Sequence, residues 1–600
     1  MRSMTYDAII KGGRWFDGTG AASAIRDLGI RDGRVVVVSA DPLDETGCPE
    51  VVDAHGRWVM PGFVDIHTHY DIEVLDGPAL PESVRHGVTT LFLGSCSLST
   101  IHVGGVDAGD LFGRVEAIPR QHVIRAVEEH KTWSTAEQYV AALEALPLGP
   151  NLAAFIGHSD MRTATMGLDR ATRKDVRPSR REQARMEQML DEALDAGFVG
   201  MSAQQLLFDK LDGDLCRSRT LPSTYAKGRE MRGLRSILRR RRRALQAGPD
   251  ASHPVSTIGG QALGSIGWFG RPALRTSLLS AADIKAIPFV IHLMRPLAAL
   301  VNRLGADFRW QHLPVPFEVY ADGIDLVIFE EFGSGAMALH LQEKLARDEL
   351  MRDEDYRKRF RKDYESKYGP RVWHRDFYDA EIVACPDASV IGKSFGQVGD
   401  ERGGMHPVDA FLDLVLEHGT AIRWRTTISN HRPEVLKKLA QDGGIQVGFS
   451  DAGAHLRNMA FYNFGLRLLK HVRDAERAGK PFMSVERAVH RLTGELGEWY
   501  RIDAGFLREG DRADLVVLDP EHLDAALESY HEAPVEQYGG LSRMVNRNDA
   551  AVPAVFVGGR RVVTDGEPTP LLGTERTGQF LRAGQTGAPV VSTGAVEAAS

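Results

Sequence analysis

Residues 62–69 read Gly-Phe-Val-Asp-Ile-His-Thr-His, an apolar run that ends in two histidines separated by one residue. Side chains alternate along a β-strand, so His67 and His69 project to the same side. Two neutral imidazoles placed in this way can bind one metal ion. Active sites of barrel enzymes lie at the carboxyl ends of the strands, so the stretch predicts a metal-binding barrel strand. Two exposed loop histidines are the alternative interpretation.

Seven more apolar runs, each bounded by turn residues, follow this stretch, and helical patterns lie between them. The alternation of strands and helices is typical of a parallel sheet. Eight units of this kind predict an α/β fold, a metal-dependent (β/α)8 barrel over residues 61–499. The seven runs are residues 89–93, 152–156, 197–201, 244–247, 289–292, 308–311 and 445–449.

The remaining segments differ from the barrel pattern. Residues 4–60 and 500–570 contain short β-rich runs, so we expect one small β-sandwich domain built from both termini. Residues 314–405 are rich in charged and aromatic side chains and interrupt the rhythm, which predicts an insertion near the barrel mouth. Residues 571–600 end in a stretch rich in Gly, Ala, Thr and Ser, which predicts a flexible C-terminal tail.

The composition is that of an ordinary soluble enzyme, with 43% hydrophobic and 26% charged residues. A formal charge of −8 gives no support for a nucleic-acid partner, and the sequence has no long apolar run that would indicate a membrane partner. We interpret five consecutive arginines, Arg239 to Arg243, as the solvated end of a helix. The four cysteines lack CxxC spacing, so we expect a reducing, cytoplasmic location. The sequence leaves the oligomeric state open.

Two further residues follow predicted barrel strands and have side chains suited to catalysis. Cys96 lies in Gly-Ser-Cys-Ser after the run 89–93, where a thiolate can bind a metal, although most lone cysteines are buried and inert. Asp451 lies in Ser-Asp-Ala-Gly-Ala-His after the run 445–449. A carboxylate beside a metal can take a proton from water and pass it to a leaving amine, whereas turn carboxylates more often cap backbone amides.

Taken together, these motifs resemble the D-aminoacylase branch of the amidohydrolase superfamily, the N-acyl-D-amino-acid deacylases. They are His-Thr-His at 67–69, Gly-Ser-Cys-Ser at 94–97, Ile-Gly-His-Ser around His158, and the Asp451 motif. The resemblance extends from Tyr6 to about Arg582 and is thin from about 220 to 400. It implies a metal-dependent hydrolase of a linear amide C–N bond that acts on a small-molecule substrate.

The family pattern also assigns roles to individual residues. It implies His67, His69 and Cys96 as metal ligands, zinc as the metal, and Asp451 as general base and acid. The family uses further histidines after strands five and six, and His292, in the run 289–292, is the candidate for strand six.

Strand five departs from the pattern. It offers Gln246 where a histidine is expected, and the nearby His253 has the wrong offset. Strand four carries no lysine that could be carbamylated as a metal bridge. We therefore expect one zinc ion rather than two.

The substrate-binding residues are less defined by the sequence. An N-acyl amino acid carries a carboxylate, which the planar guanidinium of arginine binds in a bidentate manner. Arg295 and Arg162 are candidates, together with His158. Two alternatives to an N-acyl-D-amino-acid deacylase stay open: a cyclic-amide hydrolase of the hydantoinase or dihydroorotase kind, and a barrel that has lost catalysis and binds a ligand.

Overall fold

The computed structural model describes residues 5–207, 209–250, 254–268, 270–341, 343–366 and 371–584. Its strands, in chain order, are β1 (Ala8–Trp15), β2 (Ala24–Arg31), β3 (Arg34–Ser39), β4 (Val51–Asp53), β5 (Trp58–Pro61), β6 (Phe63–Asp65), β7 (Val88–Leu93), β8 (Asn151–Gly157), β9 (Gly200–Gln204), β10 (Ala244–Gly248), β11 (Arg275–Leu278), β12 (Asp307–His312), β13 (Phe317–Asp322), β14 (Glu381–Ala384), β15 (Arg423–Ser429), β16 (Ile445–Val447), β17 (Leu515–Leu518), β18 (His531–Val535), β19 (Leu541–Val545), β20 (Ala554–Val557), β21 (Arg560–Thr564) and β22 (Glu567–Pro568).

The α-helices are α1 (Glu73–Asp76), α2 (Pro81–Val84), α3 (Gly105–Phe112), α4 (Arg120–His130), α5 (Ala136–Ala145), α6 (His158–Met166), α7 (Leu168–Ala171), α8 (Arg180–Asp195), α9 (Gly228–Arg241), α10 (Pro254–Ser265), α11 (Ile291–Arg303), α12 (Gly333–His340), α13 (Lys344–Arg352), α14 (Glu354–Glu365), α15 (Phe395–Glu401), α16 (Pro407–His418), α17 (Pro433–Gln441), α18 (Phe464–Arg477), α19 (Val485–Leu492) and α20 (Gly494–Tyr500). None of these helices has the length and apolar character needed to span a bilayer.

Eight parallel strands form the central barrel in the order β6-β7-β8-β9-β10-β11-β12-β16. Backbone hydrogen bonds close it between β16 and β6. Ile66 N donates to Gly448 O at 2.8 Å, and His69 N donates to Ala452 O at 2.7 Å. The prediction of a (β/α)8 barrel is therefore confirmed, and the closing seam brings the segment after β6 beside the segment after β16.

Strand six is the one barrel strand that the sequence analysis placed wrongly. Residues 289–292 form a turn and the start of α11, whereas strand six is β11, with the sequence Arg-Thr-Ser-Leu. Its buried Ser277 donates a hydrogen bond to Gln446 Oε1 at 2.6 Å and accepts one from Gln311 Nε2 at 2.9 Å. The buried hydroxyl of this strand has hydrogen-bond partners inside the barrel, so a polar residue is tolerated there. The strand therefore lacks the apolar run by which a buried strand is recognised in a sequence.

The two ends of the chain combine in a second sheet of nine strands, ordered β22-β21-β20-β17-β5-β1-β2-β3, with β4 beside β1. The N-terminal β5 pairs with the C-terminal β17, which joins the two halves. Ile10 and Leu28 from one end share a buried core with Leu515 and Phe556 from the other. The prediction of a β domain built from both termini is confirmed.

The insertion folds as a unit of its own, with the antiparallel sheet β13-β15-β14 and the helices α12 to α16. Aromatic rings form its core: Phe377 stacks on Phe411 at 4.6 Å between centroids, and Trp424 lies 6.0 Å from Phe411. Because α16 and β15 belong to this unit, the insertion extends to Ser429, past the predicted boundary at residue 405.

The segment 571–584 is packed against the barrel. Leu152 N of β8 donates to Gln579 O at 2.9 Å, and Leu581 N donates to Leu152 O at 2.7 Å. Arg243 donates a hydrogen bond to Ala583 O at 2.6 Å. The expectation of a flexible tail from residue 571 is therefore wrong for 571–584, because its backbone extends the barrel hydrogen bonding; residues 585–600 lie outside the described residues.

Candidate active site

The ends of two neighbouring barrel strands bring three of the predicted metal ligands together. His67 and His69 follow β6, Cys96 follows β7, and all three side chains are buried. Their ligand atoms lie within 4.8 Å of one another, and Cys96 Sγ lies 3.3 Å from His67 Nε2. The two histidines and the thiol can therefore contact one ion.

Asp451 follows β16 and lies across the closing seam from His67 and His69. Its Oδ1 lies 3.0 Å from His69 Nε2 and 3.5 Å from His67 Nε2. Asp451 has φ +60° and Cys96 has φ +51°, in the left-handed region that residues other than glycine seldom adopt. Such backbone costs about 1–3 kcal/mol per residue and is concentrated at functional sites, where the surrounding structure holds it.

Two residues without a role assigned from the sequence complete the cluster, the buried Glu116 and the partly buried His455. Glu116 Oε1 lies 3.2 Å from His69 Nδ1, and His455 Nε2 lies 3.6 Å from Glu116 Oε2 and 3.8 Å from Asp451 Oδ2. His455 ends the Ser-Asp-Ala-Gly-Ala-His motif, so the sequence carried a signal for it. Glu116 lies between α3 and α4, in a loop without a recognisable pattern.

The protonation states of the cluster follow from burial and from mutual contacts. Burial lowers the pKa of His67 to about 4 and raises the pKa of Glu116 to about 8. Burial would also raise the pKa of Asp451, but its hydrogen bond with His69 and the charge of His69 hold that pKa well below the usual range. Burial raises the pKa of the Cys96 thiol to about 12. Metal binding therefore has to release a proton from Cys96.

The orientation of His67 fits a metal ligand. Its Nδ1 donates a hydrogen bond to Gln311 Oε1 at 2.8 Å, which leaves the Nε2 lone pair directed at Cys96 and Asp451. Two imidazoles and a thiolate are donors that zinc binds, and three such ligands leave a position open for water. The residues present therefore fit a zinc-type ion.

The ends of strands five and six carry other side chains. On β10, Gln246 Oε1 accepts a hydrogen bond from Cys96 N at 3.2 Å, so this glutamine positions the Cys96 loop. After β11, Ser280 lines the cavity. Neither strand end has a histidine among the residues described, and His253, the spare histidine near strand five, lies outside them.

The cluster forms one end of a cavity of about 320 Å³. Aliphatic and aromatic side chains supply most of its wall. Some come from the insertion, such as Phe317 and Ile328, and others from the segment that leads into α11, such as Ile287 and Val290. The polar residues of the wall beyond the cluster are Gln204, Asp209, Ser280, Ser429 and Glu331.

Comparison with known proteins gives matches over the whole length of the chain. A family model described as an amidohydrolase family matches residues 50–235. An uncharacterized protein of Mycobacterium tuberculosis is 56% identical, covering 98% of this chain and 97% of that protein. N-acyl-D-aspartate deacylase of Alcaligenes xylosoxydans xylosoxydans is 27% identical over 96% of this chain and 95% of its own. The chain belongs to the amidohydrolase superfamily, in its D-aminoacylase family.

The fold agrees with this assignment. The crystal structure of N-acyl-D-glutamate deacylase from Bordetella bronchiseptica, complexed with zinc and a phosphonate inhibitor, is similar with a TM-score of 0.60 and 21% identity. The match covers 97% of this chain and 100% of the deacylase chain. This amidohydrolase is accordingly a hydrolase of carbon–nitrogen bonds other than peptide bonds.

The structure places His292 and Arg295 away from the active site of the amidohydrolase. Both lie on α11 with exposed side chains, and Arg295 pairs with the surface residue Asp442. The expectation of His292 at the end of strand six is wrong because residues 289–292 are not a strand. Arg295 does not line the cavity, so it cannot bind a substrate carboxylate there.

We expect His292→Ala and Arg295→Ala to leave both metal content and hydrolysis within about twofold of the parent protein, since exposed residues away from a site seldom matter by more than about 0.5 kcal/mol. Elemental analysis and initial rates measure the two quantities. Loss of bound metal from His292→Ala would return this residue to the ligand set.

His158 and Arg162 lie on α6 of the amidohydrolase and are fully buried, but their partner is a protein side chain. Glu230 Oε1 of α9 lies 2.9 Å from His158 Nε2 and accepts a hydrogen bond from Arg162 Nη1 at 2.6 Å. Arg162 Nη2 also donates to Ala171 O at 3.1 Å. Neither residue lines the cavity, so this network joins α6 to α9 and does not bind substrate.

Glu230→Ala is expected to destabilise the fold by about 3–5 kcal/mol, because it leaves the Arg162 guanidinium buried without a counter-charge. Contacts with His158 and Arg162 overcome the effect of burial and lower the pKa of Glu230 from 4.5 to about 2. The stabilisation is therefore complete above about pH 4.5 and is lost as the pH falls towards 2. Denaturant unfolding at several pH values measures it.

Glu192→Ala is the matched control, because Glu192 makes a half-exposed pair with Arg185 at 3.6 Å. We expect that variant to cost less than about 1 kcal/mol. Equal losses in the two variants would argue against a stabilising role of the buried network.

Proposed function

We propose that this protein hydrolyses linear N-acyl compounds at the amide C–N bond and uses one zinc ion, with a carboxylic acid and an amine as products. The observation that carries the proposal is the position of Asp451, within 3.5 Å of both histidines that supply ligand atoms. A carboxylate at this point would lie beside an ion held by the two histidines and could take a proton from a water molecule there.

Bound at His67, His69 and Cys96, the ion would polarise the scissile carbonyl and lower the pKa of water. Asp451 accepts one proton from the attacking water on a carboxylate oxygen as the new C–O bond forms. It then delivers that proton to the amide nitrogen as the C–N bond breaks. Asp451 is ionised before the reaction begins, because its contact with His69 holds its pKa well below the usual range.

Two features favour a linear amide over a cyclic one. One relative that matches over the whole length and has a stated activity is an N-acyl-D-aspartate deacylase. Strand β9, with the sequence Gly-Met-Ser-Ala-Gln, has no lysine for the carbamylated bridge of hydantoinases and dihydroorotases. A lapsed, non-catalytic barrel is disfavoured because four functional side chains converge and two of them sit on strained backbone.

The test begins with protein stripped by a chelator and reloaded with increasing zinc. Metal per chain and release of amine from a panel of linear N-acyl compounds are measured on the same samples. We expect activity to rise with zinc and to saturate near one ion per chain. Full zinc uptake without hydrolysis of any linear amide would exclude the proposal, as would hydrolysis confined to cyclic amides.

A further inference from the structure

No arginine or lysine lines the cavity among the residues described, and the histidines of the lining belong to the proposed metal cluster. Its lining is aliphatic or aromatic at most positions, including Leu279, Ile284 and Val327. Its ionisable groups outside the metal cluster are Asp209 and Glu331, and both are acids. The two arginines considered for a substrate carboxylate lie elsewhere, one on the surface and one in the α6–α9 network.

From this lining we propose that the substrate is a neutral, lipophilic amide that carries no carboxylate next to the scissile bond. This inference rests on the proposed amide hydrolysis and defines its substrate class. It separates the chain from relatives whose names specify acidic products, such as N-acyl-D-aspartate deacylase.

A carboxylate transferred from water into an apolar wall loses its hydration and needs a hydrogen-bonded counter-charge to compensate. No arginine or lysine of the described lining supplies that counter-charge. Burial already raises the pKa of both Asp209 and Glu331 to about 7, which shows how weakly this cavity supports negative charge.

Two of the cations near the cavity are engaged with protein carboxylates. Arg114 pairs with Glu330, and Lys285 pairs with Asp379 at 2.5 Å. Arg371 is the counter-candidate, because its Nε and Nη2 have no hydrogen-bond partner and it precedes Val372 of the wall. Its charge lowers the pKa of Glu331, so the acid lies within the electrostatic reach of this arginine.

The apolar wall also predicts a dependence on hydrocarbon content. Each methylene buried against it should raise kcat/KM by about fourfold until the cavity is filled. A neutral series of N-acyl alkylamines of increasing acyl length measures this slope directly.

The deciding experiment compares N-hexanoyl-D-leucine, its L-enantiomer, and N-hexanoyl-3-methylbutylamine, which differs by the missing carboxylate. Release of hexanoate by the zinc-loaded protein is measured for each. We expect kcat/KM for the neutral amide to exceed that of both acids by at least about 100-fold. Equal values, or a preference for either acid, would overturn the inference while leaving amide hydrolysis intact. Hydrolysis of none of the three would instead count against the proposed function.

Two variants locate the cause of the discrimination. Val327→Lys places a cation in the wall and should shift the ratio towards the acids by at least about tenfold. Arg371→Met should leave the ratio unchanged, since this arginine is outside the lining. A selective loss of acid hydrolysis in Arg371→Met would identify it as a carboxylate receptor and overturn the inference. Zinc content and melting temperature establish that each variant is folded.

Discussion

Asp451→Asn is expected to reduce kcat by at least about 10³-fold, the range in which a positioned general base and acid contributes. Asparagine has nearly the same shape, and its side-chain oxygen can still approach His69 Nε2, which lies 3.0 Å from Asp451 Oδ1. The carboxamide cannot accept and return a proton at pH 7. We therefore expect zinc content close to that of the parent protein, since His67, His69 and Cys96 are unchanged.

Steady-state hydrolysis of a neutral N-acyl amine and elemental analysis of the same preparation measure the two effects. Asp442→Asn is the matched control, because it makes the same chemical change in a carboxylate that pairs with Arg295 on the surface. Its kcat should stay within about twofold of the parent value. Unimpaired turnover by Asp451→Asn would remove Asp451 from proton transfer and leave it as a ligand or an orienting group.

The parts of the site that the sequence predicted are those in which local pattern and chemistry coincide. His67 and His69 follow an apolar strand that packs on both faces, and the alternation of side chains fixes their common direction. Asp451 follows the strand that closes the barrel, so topology alone brings it to the same place. Cys96 follows β7, the neighbour of β6, for the same reason.

The parts that the sequence missed depend on long-range contacts. Strand β11 can contain the polar Ser277 because Gln446 and Gln311 of other strands form hydrogen bonds with it. Its local sequence therefore lacks the apolar pattern of a buried strand. Glu116 reaches the cluster from a loop, and nothing within that loop indicates His69 as its neighbour. Arg162 is the residue type expected for binding a substrate carboxylate. It instead forms an ion pair with Glu230, 68 positions away in the sequence.

Strands five and six carry no histidine at their ends in the described chain. Two glutamines, on the fifth strand β10 and the seventh strand β12, contact the cluster from inside the barrel. Gln246 and Gln311 stand in the barrel where they hydrogen-bond the Cys96 backbone and His67 Nδ1. Two glutamines therefore hold the proposed metal ligands in place from the interior of the barrel. The candidate donors His67, His69 and Cys96 thus all follow β6 and β7.

His67→Ala/His69→Ala is expected to lose bound zinc, with an affinity decrease well beyond the roughly 10–100-fold that follows loss of a supporting hydrogen bond alone. Only Cys96 of the three predicted ligands remains in that variant. Gln311→Leu provides the graded comparison, because it removes the partner of His67 Nδ1 but keeps all three donors, and it should fall within that roughly 10–100-fold range.

Zinc affinity is measured by competition with a chromogenic chelator, and the circular dichroism spectrum and melting temperature of each variant establish folding. His292→Ala serves as the histidine control, since its side chain is exposed on α11. If the double variant retained one zinc per chain with unchanged affinity, the ion would have to be held by other residues, and the assignment of the cluster at β6 and β7 would be wrong. A graded series, in which zinc affinity falls roughly 10–100-fold for Gln311→Leu and is lost in the double variant, would instead locate the ion at the histidine that Gln311 orients.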